Sequence, residues 1–298
     1  MERAAPLIAG LELGGTKCVA LLARGPEDVR AQQRIATRDP EATLGAIEAL
    51  LDGWQFDAIG VAAFGPIELD PARPDFGSVT ATTKPGWTGT DLVRRLERRY
   101  GKPVAIQTDV NGAALAEGRW GAARGMTSHL YITIGTGVGV GIVTGGAPVQ
   151  GVAHAEAGHM RMPRAPGDSF PGWCRFHGDC VEGLISGPAL AERFGCAGEE
   201  LPAAGPHWDL FVHDLAGLVH NLVVTFAPQR IAIGGGVLDA RPHLFGPLRR
   251  RLAESIGGYG SLAAYAAELD SRLGPPGLGG MAGPLGAVAV GLDGLTAG

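Results

Sequence analysis

The stretches LELGGTKCVALL, residues 11–22, and ITIGTGVGVGIV, residues 132–143, repeat one pattern in the two halves of the chain. In each, an apolar strand runs into a glycine-rich turn and a second apolar strand follows. Glycines let backbone amides approach an anion without an intervening side chain, and Thr16 and Thr136 add hydroxyl donors. The repeat predicts an internal duplication in which two facing turns hold a polyphosphate between two lobes. Two ordinary hairpin turns are the alternative.

The sequence between and after these stretches alternates strand and helix signals, which is typical of an α/β protein. Residues 40–54 predict a helix, residues 58–65 a buried strand and residues 210–226 a long apolar helix. A further helix is expected to begin near Asn111, because asparagine is a favoured helix cap. The 298 residues exceed what one compact core usually holds, so two lobes are expected.

Composition narrows the classes of function. Hydrophobic residues make up 45% of the chain and charged residues 18%, which indicates a well-buried globular protein. The net charge of -5 disfavours nucleic acid as a partner, and the basic patches at 94–99 and 249–251 are expected to be solvated helix faces. No apolar stretch has the length of a signal peptide or of a membrane span, so we expect no membrane partner and a cytoplasmic location.

Two common nucleotide-binding motifs are absent from the sequence. A P-loop needs Gly-Lys followed by Ser or Thr, but Gly101 and Lys102 precede Pro103, and residues 15–17 run Gly-Thr-Lys. A dinucleotide fingerprint in the second glycine stretch would need a glycine where Val140 stands. Any nucleotide site in this chain must therefore be built differently.

A third glycine group, at residues 234–236, closes the predicted strand RIAI and precedes Val237 and Leu238. A strand end without Cβ atoms suits a flat ring such as adenine. A plain strand-to-helix turn explains the same residues equally well.

Three histidines and two of the four cysteines cluster between residues 154 and 183. His159, Cys174, His177 and Cys180 give four ligands suited to tetrahedral zinc, and four protein ligands leave no open position for catalysis. The alternative, a disulfide between the two cysteines, would leave both histidines unexplained. His154 is expected to lie outside the ligand set, near the site or at the surface.

Asp109 follows a predicted strand at residues 104–108 and precedes Asn111. Its carboxylate is therefore expected at the carboxyl end of a strand, where open α/β sheets place their ligands. One carboxylate within hydrogen-bond reach of an acceptor hydroxyl can orient it and accept its proton during phosphoryl transfer. The alternative is that Asp109 only caps the following helix.

These motifs, with TDVNGAALAE at 108–117, EAGH at 156–159 and IGGGV at 233–237, occur in an order that resembles the ROK family of sugar kinases and repressors. The likeness extends over nearly the whole chain. The stretch GSVTATTKPGW at 77–87 and the spacing of the His and Cys cluster are most similar to the bacterial zinc-containing ROK fructokinases.

The resemblance implies an actin-like ATPase fold of the ribonuclease H type, with two α/β lobes, ATP in the cleft between them and a hexose deep in the hinge. The N-terminal lobe would span residues 1–115 and be completed by a C-terminal helix at 283–298. The C-terminal lobe would span residues 116–282 and carry the zinc-binding loop, 154–183.

The same resemblance assigns site residues, with Asp109 as the catalytic base. The expected sugar-binding residues are Glu156, Glu182, Gly65, Pro66 and Thr108. The expected nucleotide-binding residues are Gly14, Gly15, Thr16, Lys17, Thr136, Gly137, Pro188, Gly234, Gly235, Gly236, Val237 and Leu238. Glu12 stands where many members have Asp, and Thr108 stands where the glucokinases have a sugar-contacting Asn, which disfavours a glucokinase.

The function that follows from the resemblance is ATP-dependent phosphorylation of D-fructose to fructose 6-phosphate, with Mg²⁺ on the nucleotide and a structural Zn²⁺. Mannose, glucose or an N-acyl hexosamine are alternative acceptors, and a sugar-binding regulator without catalysis is the alternative class. The thirteen residues before Gly14 leave no room for the winged helix of the repressor branch. The resemblance also implies a homodimer, in which Lys84 to Trp87 reach either the sugar or the neighbouring subunit.

Overall fold

Two five-stranded sheets form the framework of this computed structural model, which describes residues 5–296. The strands of the first sheet are β1 (Ile8–Leu13), β2 (Lys17–Gly25), β3 (Asp28–Ala36), β4 (Ala58–Ala63) and β5 (Val104–Thr108). The strands of the second sheet are β6 (His129–Ile134), β7 (Val138–Thr144), β8 (Ala147–Pro148), β9 (Arg230–Gly234) and β10 (Leu273–Gly274).

The two sheets have the same topology. The strand order is β3-β2-β1-β4-β5 in the first and β8-β7-β6-β9-β10 in the second. In both, three antiparallel strands are followed by two parallel ones, and the glycine turns of the repeated stretches join β1 to β2 and β6 to β7. The expected internal duplication is confirmed at the level of topology.

Eleven α-helices in the described residues connect and cover the strands. They are α1 (Pro40–Leu51), α2 (Val93–Tyr100), α3 (Asp109–Trp120), α4 (Val181–Ile185), α5 (Gly187–Phe194), α6 (Pro206–Phe226), α7 (Gly236–Asp239), α8 (Phe245–Ile256), α9 (Leu262–Ala267), α10 (Leu269–Arg272) and α11 (Ala282–Thr296). Between residues 5 and 296, none of these helices combines the length and apolar composition needed to span a bilayer.

The last helix, α11, returns to the first sheet and lies on β1 and β4. Every residue of β4 is buried, as expected for a parallel strand covered on both faces. A Cβ on Gly60 would lie 1.9 Å from the carbonyl oxygen of Ala287, so only glycine lets the helix approach this strand so closely. The final two residues of the helix expected at 283–298 lie outside the described residues.

Helix α3 packs against α11 and against strands of both sheets. The two helices cross at Gly112 and Gly286, where a Cβ on Gly286 would lie 2.5 Å from the carbonyl carbon of Gly112. The lobe boundary expected after residue 115 falls inside α3, and the two lobes therefore share this helix.

Two sequence expectations about helices need correction. Helix α3 begins at Asp109 and not near Asn111, because Thr108 is the N-cap and its hydroxyl accepts a hydrogen bond from the Asn111 amide at 3.2 Å. Helix α6 begins at Pro206, four residues before the expected start at Leu210, because proline is well accommodated in the first turn of a helix.

Glu117 fastens the end of α3 to the segment that enters α11. Its carboxylate is 1% exposed and accepts hydrogen bonds from the amides of Ala122 at 2.6 Å, Gly277 at 2.9 Å and Leu278 at 2.9 Å. A buried acceptor with three backbone donors stabilises the fold because each donor would otherwise lose its partner.

We expect Glu117→Ala to lower the free energy of unfolding by about 3–5 kcal/mol, which corresponds to a fall in Tm of roughly 10 °C. The control is Glu97→Ala, which removes an exposed carboxylate from α2 and should leave Tm within about 2 °C of the parent. Thermal unfolding followed by circular dichroism measures both. Equal Tm values for the two variants would contradict the structural role of Glu117.

Candidate active site

Each glycine turn is closed by one backbone hydrogen bond, across four residues in the first turn and three in the second. The Gly14 amide donates to the Lys17 carbonyl at 3.1 Å, and the Gly135 amide donates to the Gly137 carbonyl at 2.9 Å. Thr16, Lys17 and Thr136 at the tips are exposed, and Gly15 is exposed as well. The turns therefore leave backbone and hydroxyl donors open to an anionic ligand.

Neighbouring elements brace the back of each turn. The Thr37 hydroxyl donates to the Gly14 carbonyl at 2.7 Å behind the first turn. Behind the second, the Gly187 amide at the start of α5 donates to the Gly135 carbonyl at 2.8 Å. Pro188, which the resemblance places near the adenosine, is the next residue of α5.

Asp109 lies where β5 ends and α3 begins. One carboxylate oxygen, Oδ1, accepts a hydrogen bond from the Val110 amide at 2.9 Å, which leaves Oδ2 free to act on a ligand. The side chain is enclosed by protein but keeps part of its surface open to solvent. Thr108 is the N-cap of α3, and Asp109 accepts one further amide of its first turn, that of Val110, so capping engages Oδ1 and does not account for Oδ2.

Burial, with smaller contributions from the negative charges of Glu12 and Glu156, raises the pKa of Asp109 to about 7, and the hydrogen bond from the Val110 amide opposes this rise. Glu12 is the penultimate residue of β1, just before the first glycine turn, and Glu156 belongs to the loop before His159. The three carboxylates therefore converge from both lobes. A carboxylate with a pKa near neutrality is well matched to a general base.

Glu156 lies next to the expected sugar-binding residues Gly65 and Pro66. The Gly65–Pro66 peptide bond is cis, and a Cβ on Gly65 would lie 3.6 Å from Oε1 of Glu156. The Glu156 side chain is about half exposed (50%), so its carboxylate is available to a ligand. These residues bring the end of β4 and the loop of the second lobe together.

Thr108 is the residue that caps α3. It is only 4% exposed and its hydroxyl oxygen is engaged with the Asn111 amide. The side chain therefore caps a helix, and the contact with a sugar that the resemblance implies stays a prediction. The local cause is its position directly before a helix, where threonine is a favoured cap.

Glu182 lies against the second glycine turn. Its Oε2 accepts a hydrogen bond from the Val138 amide at 3.1 Å, and a Cβ on Gly137 would lie 2.7 Å from the same oxygen. The other carboxylate oxygen, Oε1, has no such contact with the turn. Glu182 therefore links α4, which follows the His and Cys cluster, to a turn expected to bind phosphate.

His159, Cys174, His177 and Cys180 converge on one point, with all ligand atoms within 4.8 Å of one another. Nδ1 of His159 is 3.6 Å from Sγ of Cys174 and 3.5 Å from Sγ of Cys180. Nδ1 of His177 is 3.8 Å from Sγ of Cys174. A tetrahedral zinc, with Zn–S of about 2.3 Å and Zn–N of about 2.0–2.1 Å, has edges of about 3.3–3.8 Å. The four side chains therefore fit such an ion, and both cysteines are free of disulfides.

A buried ion network holds the same loop independently of any metal. The Arg193 guanidinium, 2% exposed, contacts Asp168 at 2.5 Å and Asp214 at 2.9 Å. Asp168 also pairs with Arg164 at 2.6 Å. Because Asp168 belongs to the loop while Arg193 and Asp214 belong to α5 and α6, this network anchors the loop to the second lobe.

The third glycine group ends β9 and begins α7. A Cβ on Gly234 would lie 2.8 Å from Pro276, and one on Gly235 would lie 2.5 Å from the Ile134 backbone, so both positions are filled by the protein itself. Gly236 faces open space and Val237 is partly buried. Leu238 is 1% exposed and packs in the core, which corrects the expectation that its side chain lines a nucleotide pocket.

A model of the ROK family matches residues 8–293 of the chain. The chain belongs to the ROK family. It is 38% identical over 279 residues to a fructokinase of Pediococcus pentosaceus, covering 93% of this chain and 94% of that protein. It is 39% identical over 293 residues to a fructokinase of Zymomonas mobilis, covering 95% of each.

A solved ROK glucokinase from Streptomyces griseus, in complex with glucose and AMPPNP, superposes with a TM-score of 0.77 at 25% identity, covering 96% of this chain and 99% of that one. The expected actin-like ATPase fold is thereby confirmed, as is the resemblance from which it was inferred.

Three contacts in this ROK chain escaped the sequence reasoning. Lys84 contacts the Gly15 carbonyl through Nζ, so it lies over the first glycine turn of its own chain. Trp87 is fully buried, and its Nε1 donates to the Arg38 carbonyl at 2.9 Å. His154 is buried as well and bonds to the Ile67 amide. No local spacing signals these contacts, because the paired residues are far apart in the sequence. The separations are 49 positions for Trp87, 69 for Lys84 and 87 for His154.

Proposed function

We propose that this protein is an ATP-dependent hexose kinase that converts D-fructose to fructose 6-phosphate. The observation that carries the proposal is Asp109, a partly enclosed carboxylate with a pKa of about 7, at the end of β5 and near enough to Glu12 and Glu156 for their charges to raise that pKa. The fructokinase names of the relatives support fructose as the acceptor. The AMPPNP bound in the related glucokinase supports ATP as the donor.

In the proposed reaction, Asp109 accepts the proton of the sugar hydroxyl as that oxygen bonds to the γ-phosphorus of ATP. The bond from the γ-phosphorus to the β,γ-bridging oxygen breaks, and ADP leaves with its electron pair. The two turns, through Gly14 to Lys17 and through Thr136 and Gly137, would hold the phosphates. Mg²⁺ arriving with the nucleotide would neutralise the β and γ charges.

Glu156 and Glu182 would accept hydrogen bonds from sugar hydroxyls. His159 follows Glu156 by three residues and Cys180 precedes Glu182 by two, so an ion bound to these ligands would restrain both carboxylates. We propose that this ion is a structural Zn²⁺, since sulfur and imidazole ligands at tetrahedral spacing favour it. Gly65 and Pro66 would close the sugar site from the first lobe.

The oligomeric state and the cellular location of the enzyme are also proposals. We infer a homodimer working in the cytoplasm on two small molecules, and light scattering on the purified protein tests the dimer by its mass.

The test of the proposed function is ADP release measured for the purified protein with MgATP and each of fructose, mannose, glucose and N-acetylmannosamine. We expect fructose to give the highest kcat/KM, by at least about tenfold. A preference for the N-acyl sugar or for glucose would overturn the fructose assignment. Fructose binding in calorimetry without ADP release would instead establish the non-catalytic regulator.

A further inference from the structure

His154 lies between the two lobes and touches both of them. Its side chain is 4% exposed. Nε2 accepts a hydrogen bond from the Ile67 amide at 3.1 Å, and Ile67 is itself anchored in the core of the first lobe. On the other side of the ring, Nδ1 is 3.4 Å from Oε1 of Glu156.

The contact with Ile67 decides which ring nitrogen carries the proton in the neutral imidazole. An amide N–H can only donate, so Nε2 must be the acceptor and Nδ1 must carry the hydrogen. The nearest carboxylate oxygen to Nδ1 in the structure's ion pairs is Oε1 of Glu156, at 3.4 Å. The backbone of the first lobe thereby sets the direction in which His154 donates.

The space around the ring is tightly defined. A Cβ on Gly65 would lie 3.2 Å from Cε1 of His154 and 3.6 Å from Oε1 of Glu156, so Gly65 packs against both groups. His154 is not one of the four clustered metal-ligand candidates. Its buried position therefore needs another explanation.

We propose that His154 is a positioning residue that orients the Glu156 carboxylate for the sugar and ties that orientation to the Gly65–Ile67 segment of the first lobe. The inference rests on the proposed function, because Glu156 must hold the sugar for its orientation to matter. Side chains that hold a binding group in place act through preorganisation rather than through new contacts. The effect should therefore appear in sugar affinity and not in ATP affinity.

Two substitutions at His154 separate the role of Nε2 from the role of Nδ1. His154→Gln places an amide oxygen near the Nε2 position, which keeps the acceptor for Ile67 but removes the donor facing Glu156. His154→Asn places an amide N–H near the Nδ1 position, which keeps that donor but leaves the Ile67 amide without its acceptor. His220→Gln, on α6 and partly exposed, is the matched control.

We expect His154→Gln to raise the KM for fructose about 5- to 30-fold with Tm near that of the parent. His154→Asn should lower Tm more than His154→Gln does, and it should raise the KM for fructose less. The KM for ATP should stay within about twofold of the parent in both variants, and His220→Gln should match the parent throughout.

Glu156→Gln distinguishes a failure of this inference from a failure of the proposed function. If Glu156→Gln raises the fructose KM while His154→Gln does not, His154 is only a structural residue and the inference is overturned. If the fructose KM rises most in the His154 variant whose Tm falls most, the inference is likewise overturned. If Glu156→Gln leaves the fructose KM unchanged, the assignment of Glu156 to the sugar site fails, and the inference fails with it.

Discussion

Asp109→Asn is expected to lower kcat for fructose by about 10²- to 10⁴-fold while the fold stays intact. The amide keeps an oxygen that can accept the hydrogen bond from Val110, but it cannot take the proton of the sugar hydroxyl. Steady-state ADP release measures the loss. The control is Asp70→Asn, which changes an exposed carboxylate away from the glycine turns and should keep parental turnover.

The raised pKa of Asp109 also predicts how kcat/KM of the parent enzyme depends on pH. Because the base must be deprotonated, kcat/KM of the parent should rise with pH through an acid limb near 7. The Asp70→Asn control should keep this limb. An acid limb near pH 4, where an ordinary aspartate titrates, would contradict the assignment of Asp109, as would full turnover by Asp109→Asn.

The stability of the fold should depend on pH in the opposite direction to kcat/KM. A carboxyl group whose pKa is raised in the folded state stabilises the fold in its protonated form, so this contribution is present below about pH 4 and is lost as pH rises through 7. Asparagine stays neutral throughout. Asp109→Asn should therefore have a Tm equal to the parent at pH 4 and above it at pH 8, as differential scanning calorimetry would show.

Removal of the proposed Zn²⁺ is expected to lower Tm by more than about 10 °C and fructose turnover by at least about tenfold at the same time. Metal binding free energy is folding free energy for a site whose ligands are brought together only by the fold, and here the ligand loop also carries Glu156 and Glu182. Cys180→Ser, which replaces a fully buried ligand, should have the same effect as a strong chelator.

Cys196→Ser is the matched control, because Cys196 lies outside the cluster and is partly exposed. Elemental analysis should find one zinc for each chain in the parent and in this control, and less in Cys180→Ser. Verified metal-free protein that keeps both its Tm and its activity would refute a role for the metal. The Arg193 network should keep the rest of the second lobe folded when the metal is absent.

The features that sequence reasoning found are those encoded over short distances. The glycine turns, the Cys-x-x-His-x-x-Cys spacing and the position of Asp109 after a strand all lie within single segments of the chain. The features it missed depend on packing between distant segments. Leu238 and Thr108 look available in the sequence, but tertiary structure places one in the core and uses the other as a cap.

The edge strand β3 shows a second limit. Its sequence, DVRAQQRIA, is mostly polar and largely exposed, so it lacks the apolar alternation that marks a strand. It forms because β2 offers an unpaired edge, with which it pairs in antiparallel register. His154 is a third case, since its bond to Ile67 joins residues 87 positions apart.

The chain passes between the two sheets twice, once through α3 and once on the way from β10 to α11. Glu117 fastens these two passages to each other through the amides of Gly277 and Leu278. Two lobes that are joined at adjoining points lose most of their freedom to move relative to each other. The motion that remains is chiefly a rotation about a hinge through those points. In the proposed function, fructose bound between Asp109 and Glu156 would contact both lobes and so favour the closed end of this motion.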